Sequence, residues 1–155
     1  MNMIFRKACA VALLSATALP VVAQPLPGLS SLIDSQQGRR AFSQLIAGQH
    51  LPGWIKKGGV ETPMQEVTLN NTTYQVYYSC KPHDCAAERF ALIYSPADNS
   101  MSGLWSRNDE KHNKEQLRWL NISDKFSIDG KTVLYAAISG SLANHPHDFN
   151  FSNQN

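Results

Sequence analysis

The sequence predicts an α+β fold: a five-stranded antiparallel sheet flanked by helices, with a disulfide-stapled loop protruding from it. Three observations carry this. Between residues 65 and 121, five short strand-forming segments are joined by turn residues, as in an antiparallel meander. Helical segments are read on either side of that region. Cys80 and Cys85, with four residues between them, stand where the second strand ends.

The elements follow in order. Gln24 to Gly28 carries two prolines and reads as a loose arm. From Leu29 to Ala47 the apolar residues include Leu29, Leu32, Ile33, Phe42, Leu45 and Ile46; the last three have helical spacing, and Gly48 supplies a stop. Gly38 argues against one unbroken helix there. Leu51-Pro52-Gly53-Trp54 begins a loop that ends in Gly58-Gly59. Strands are expected at Gln65–Leu69, Thr73–Cys80, Arg89–Ser95, Met101–Arg107 and Lys114–Asn121. Asn70-Asn71, Pro96–Ser100 and Asp109–Asn113 make turns between them. In the second strand Tyr74, Val76 and Tyr78 share one face, and Gln75, Tyr77 and Ser79 the other. A helix competes over 110–120, where Glu and Lys are plentiful. Ser127 is read as an N-cap, Lys131–Ile138 as a helix packed on the sheet, and Gly140 as its end. Asn144–Asn155 is expected to be an irregular tail with two phenylalanines.

Residues 1–23 are set apart from the fold. Arg6 and Lys7 precede an apolar run, Ala8 to Leu19, that is too short to span a bilayer. Val21 and Ala23 then place small residues at the −3 and −1 positions of a cleavage site. This is the pattern of a secretory signal peptide cleaved after Ala23, leaving 24–155 as a single domain. Removing 23 of 155 residues leaves 132, enough for one core. Without Arg6 and Lys7, twelve Lys and Arg face twelve Asp and Glu, all beyond residue 23. A formally neutral chain is not the basic chain that nucleic-acid binding needs. The segment carries Cys9 away with it. An exported chain meets an oxidising compartment, where Cys80 and Cys85 pair by default. So small a ring contributes about 2 kcal/mol. Its further effect is to hold His83 and Asp84 in one shape.

What chemistry does the hexapeptide support? His83, Asp84, His112, His145, His147 and Asp148 are of metal-ligand type, and His145-Pro146-His147 is the best cluster outside the loop. Against that, Cys-x4-Cys is a weak zinc spacing with no second pair. Thioredoxin-like redox motifs have two residues between the cysteines, not four. His83 and Asp84 are a base and an orienter by type, but adjacent residues in a small ring rarely face each other. No nucleophile elbow or marked carboxylate pair accompanies them. The expectation is therefore no enzyme and no cofactor. The alternative is a presented loop: Pro82 and the disulfide remove backbone freedom, and an ordered loop enters a cleft at low entropic cost.

The hexapeptide Cys80-Lys81-Pro82-His83-Asp84-Cys85 resembles the signature loop of the inhibitor of vertebrate lysozyme (Ivy) family. The resemblance extends along the chain. Leu51-Pro52 with Trp54, Lys57-Gly58-Gly59, Thr73-Tyr74-Gln75-Val76, Trp119-Leu120-Asn121, Ser127 to Leu134 and Asn144-His145-Pro146 with Phe149-Asn150-Phe151 look like family segments in the family's order. Together they cover most of residues 40–151. The resemblance implies a periplasmic protein of a Gram-negative bacterium that inhibits C-type lysozymes, with a five-stranded sheet and, in several members, a homodimer. It implies that the loop enters the lysozyme cleft and that His83 meets the two catalytic carboxylates. Asp84 would be a supporting hydrogen-bond partner, Lys81 and Pro82 would shape the flank, and Cys80–Cys85 would be the staple. Animal lysozymes are usually basic, so a neutral inhibitor has no overall charge with which to steer association. Two other readings stay open. One is a relative that controls endogenous lytic transglycosylases or has lost lysozyme binding; the other is a periplasmic metal-binding protein. The polar extension Ser152–Asn155 carries no motif.

Overall fold

The computed structural model describes residues 24–152. The segment read as a signal peptide and the last three residues lie outside the described range. Helices α1 (Leu29–Asp34) and α2 (Gln36–Ile46) come first, and a 3-10 turn, Ile55–Lys57, lies in the loop after them. The sheet strands are β1 (Val60–Glu61), β2 (Gln65–Leu69), β3 (Thr72–Cys80), β4 (Glu88–Ser95), β5 (Ser100–Asp109) and β6 (Lys114–Leu120). A second 3-10 turn (Asp124–Phe126), α3 (Asp129–Ser139) and α4 (Ser141–Asn144) complete the fold.

All strand pairings are antiparallel, in the order β1-β3-β4-β5-β6, and β2 also pairs β3. The expected five-stranded meander is present, with its first edge split in two. Val60 and Glu61 pair with Cys80 and Ser79, while Gln65–Leu69 pair with Val76 to Thr72. Pro63 lies in the gap, and a proline has no N–H to give a ladder. The helix competing for 110–120 does not form; Lys114–Leu120 is strand throughout.

The alternation sorts the strand side chains onto two apolar layers. Tyr77, Phe90, Leu92, Tyr94, Met101 and Leu120 pack under α1 and α2 with Leu29, Phe42 and Leu45. On the other face Tyr74, Val76, Ala91, Ile93 and Leu104 pack under α3 with Val133, Leu134 and Ile138. Each fully buried side chain of this size contributes roughly 1.5–3 kcal/mol, so the sheet is fixed from both sides.

Three expectations at the helices are corrected. The first helical region does break, but at Ser35 rather than Gly38. Ser35 has extended backbone, and its side chain accepts from the Gly38 N–H, capping α2. Gly38 serves a different need, because a Cβ there would collide with the carbonyl oxygen of Leu32. Ser127 is not an N-cap. Its helical backbone continues the 3-10 turn, α3 starts at Asp129 from Ile128, and no side chain caps it. Finally, the tail is not simply irregular. Asn144 ends α4, and Phe151 makes a parallel bridge to Leu69 while Phe149 and Phe151 pack on the α3 layer.

Candidate functional site

The loop between β3 and β4 protrudes from one rim of the sheet, beside the β5–β6 turn. Its root is fixed by the ladder. Lys81 N–H donates to Glu88 O at 3.0 Å, one step beyond the Cys80–Arg89 pair. Behind the root, Gly59 has φ +67, and a Cβ there would fall 2.6 Å from Cys80 O. Only glycine lets the preceding loop pass this close while holding a left-handed backbone. Cys80 is buried, Cys85 is exposed, and the two are disulfide-bonded with their Cα atoms 4.8 Å apart.

Within the ring the chain makes a tight turn. Asp84 N–H donates to Lys81 O at 3.0 Å, Pro82 occupies the second position, and His83 the third with φ +64. Proline at the second position with positive φ only at the third defines a type II turn, which favours glycine at the site His83 holds. A left-handed histidine costs about 1–2 kcal/mol. The turn continues through Asp84 O, which accepts from Ala87 N–H at 3.2 Å and Glu88 N–H at 3.4 Å.

Side chains then tie down everything except the tip. Lys81 Nζ stands 3.2 Å from Asp84 Oδ2 and 3.3 Å from Glu88 Oε1. These bonds, first to Asp84 and then to Glu88, hold the Lys81 ammonium above the ordinary lysine range. Trp54 Nε1 donates to the other Glu88 oxygen at 3.2 Å. From β5, Asn108 donates its backbone N–H to Ala87 O at 2.8 Å and its side-chain amide to Ala86 O at 2.6 Å. His83, Pro82 and Asp84 are exposed, and the His83 ring has no hydrogen-bond partner among the described residues.

The loop residues expected from the sequence are therefore together at one tip, with Asp84 bonded to Lys81 rather than to His83. The other histidines of metal-ligand interest lie elsewhere. His112 Nδ1 is 2.7 Å from Asp109 in the β5–β6 turn, and His145 Nδ1 is 3.6 Å from Asp148 near the C-terminus. Among the described residues no group of three or more His, Cys, Asp or Glu side chains is placed to hold a metal ion. Sequence reasoning missed Trp54, Glu88 and Asn108 as supports of the loop. The meander itself held the signal for two of them, because it sets the start of β4 beside the end of β5.

Comparison with known proteins supplies the remaining observation. The family model described as inhibitor of vertebrate lysozyme (Ivy) matches residues 38–125, a span that includes the whole loop. A protein named inhibitor of vertebrate lysozyme from Escherichia coli K12 is 49% identical over 150 residues, covering 97% of this chain and 95% of that one. A protein of the same name from Pseudomonas aeruginosa is 25% identical over 87 residues, covering 55% and 57% of the two chains. An uncharacterised protein of Yersinia pestis is 26% identical over 110 residues, covering 70% and 64%.

Proposed function

The chain belongs to the inhibitor of vertebrate lysozyme family, and from that premise we propose that it inhibits a C-type lysozyme by inserting the Cys80–Cys85 loop into the enzyme's cleft, with His83 leading. The observation that carries this reading is the contrast within the loop. His83 is held in a left-handed conformation at an exposed tip while its neighbours are anchored. Backbone strain persists where the surroundings over-determine it, and it clusters at functional positions.

The chemistry fits the target. A retaining glycosidase holds its two catalytic carboxyl groups about 5 Å apart. One imidazole carries nitrogens on two edges and addresses both. Lysozyme's general acid works because its pocket keeps it protonated up to a pKa of about 6. A protonated imidazole beside it favours the ionised form, which has no proton to donate to the leaving group. Inhibition thus combines occlusion of the cleft with loss of the acid. Because the loop is ordered beforehand, binding avoids roughly 0.5–1.5 kcal/mol of ordering for each side chain already fixed. No residue of this chain is assigned a catalytic role. Export to the periplasm after cleavage at Ala23 belongs to the same proposal, and the mass of the secreted chain tests it.

The test is a titration of purified residues 24–155 against a C-type lysozyme, read as lysis of cell-wall suspensions, with His83→Ala in parallel. The parent is expected to inhibit stoichiometrically. The variant is expected to lose more than about 2 kcal/mol of affinity, some 30-fold, with its fold intact. Equal inhibition by both proteins would remove His83 from the site.

A further inference from the structure

At the foot of the loop, on the face of the sheet that α2 covers elsewhere, two adjoining hollows of about 480 and 400 Å3 share His50, Trp105 and Arg107. Arg118 lines one, Lys56 and Glu88 the other. The register explains the grouping. Trp105 pairs directly with Arg118 and Arg107 with Gln116. The two arginines are therefore diagonal cross-strand neighbours on one face, within reach of a common ligand.

Their partners are neutral. Arg107 donates to Gln116 Oε1 at 2.5 Å, and Arg118 to Gln49 Oε1 at 2.6 Å. Arg107 also lies over the Trp105 ring, 5.7 Å from its centroid, which restrains the guanidinium before any ligand arrives. The one carboxylate lining the hollows, Glu88, has both oxygens engaged, one by Lys81 and one by Trp54. Each arginine thus retains free N–H donors and makes no ion pair within 4 Å among the described residues, although Glu88 stands opposite Arg107 across β4 and β5. In a chain that is formally neutral beyond residue 23, Lys56, Arg107 and Arg118 make a local positive site.

We propose that this hollow is a second binding site, distinct from the loop, which takes a small carboxylated ligand of sugar size between Arg107 and Arg118. Paired guanidiniums are the groups of choice for a carboxylate, because their planar forks donate two parallel bonds. His50, Gln49 and Gln116 supply the imidazole and amide groups that hydroxyl and acetamido substituents need. The hollows lie within the roughly 300–1,000 Å3 range of small-molecule sites.

The test is an NMR titration of isotopically labelled residues 24–155 with N-acetylmuramic acid, using N-acetylglucosamine as the neutral control. The Trp105 indole N–H and the Arg107 and Arg118 Nε–H resonances report. The acid sugar is expected to give saturable shifts at these groups and the neutral sugar none. Arg118→Gln should weaken binding about tenfold. Arg107→Lys, which keeps the charge but not the fork, should weaken it less than Arg107→Gln. Equal shifts from both sugars, absence of saturation, or binding indifferent to Arg118→Gln would overturn the assignment. Lysozyme titration of the same samples reads the loop independently, so failure at one site is not mistaken for failure at the other.

Discussion

Asn108 on β5 holds Ala86 by a 2.6 Å side-chain bond and so straps the stapled loop to the neighbouring strand. The loop is fixed on both flanks: by the disulfide and Lys81 on one, by Asn108 on the other. Its rigidity is a property of the sheet rim and not of the six-residue ring alone. Asn108→Ala removes the strap but leaves the backbone bond to Ala87. A neutral hydrogen bond of this kind contributes about 0.5–1.5 kcal/mol. We expect the lysozyme complex to dissociate several-fold faster while the association rate changes little. Hydrogen exchange should quicken at residues 84–88 and not in β3. Unchanged dissociation kinetics would confine the strap to a structural role.

His83 separates fold from function more sharply than any other position. A glycine adopts the left-handed conformation without penalty, so His83→Gly relieves about 1–2 kcal/mol of strain, offset in part by glycine's greater freedom in the unfolded chain. Urea unfolding should show the variant at least as stable as the parent. Lysis assays should show inhibition lost by the same 30-fold or more expected of His83→Ala. A residue whose removal helps the fold and abolishes the activity is there for the partner. Loss of stability in the glycine variant would mean that the ring makes contacts within its own chain.

The sheet was readable because its two faces are buried against different layers, and a register slip would expose both; hence the clean alternation at Tyr74, Val76 and Tyr78. The tip residues were readable because they are contiguous in the chain. What escaped was set by contacts distant in sequence. Glu61 accepts from the Ser30 N–H at 2.7 Å and so satisfies the first turn of α1, which no local cap does. The phenylalanines of the tail gain order only from the layer they meet, with Phe151 N–H donating to Thr68 O at 3.0 Å. Trp54 and Glu88, far apart along the chain, meet only once the loop before β1 has folded back on the sheet.

Alkaline stability should report the burial of Tyr77. Its hydroxyl is pushed up from 10.0 to about 12, chiefly by burial and then by Tyr94. The group is neutral in the fold at pH values where the unfolded chain has already ionised. Its contribution is therefore complete below pH 10 and is lost as the pH rises toward 12, by roughly 2–3 kcal/mol. Tyr78, raised by burial, and Lys81, raised by its carboxylate partners, decline in the same direction. The comparison that isolates Tyr77 is Tyr77→Phe, which gives up the 2.8 Å bond to Gln75 Oε1 and lowers stability at neutral pH. Its stability curve should be flatter than the parent's between pH 10 and 12. Parallel curves would place the alkaline loss elsewhere.

Removing the disulfide tests how the loop's order is shared between the staple and the hydrogen bonds around it. Cys80→Ala with Cys85→Ala takes away the cross-link, whose contribution for so short a ring is about 2 kcal/mol. Cys80 is buried at the end of β3, and alanine there adds a small cavity term, so the total should lie between about 2 and 3 kcal/mol. The turn bond from Asp84 N–H to Lys81 O and the Lys81 contacts do not need the staple, so the loop should loosen without unfolding. Inhibition should weaken through faster dissociation, and combining the pair with Asn108→Ala should weaken it by more than the two effects added. The double-mutant cycle is then non-additive, as for residues restraining one segment. Strict additivity would mean that the staple and the strap order different parts of the loop, and that His83 depends on only one of them.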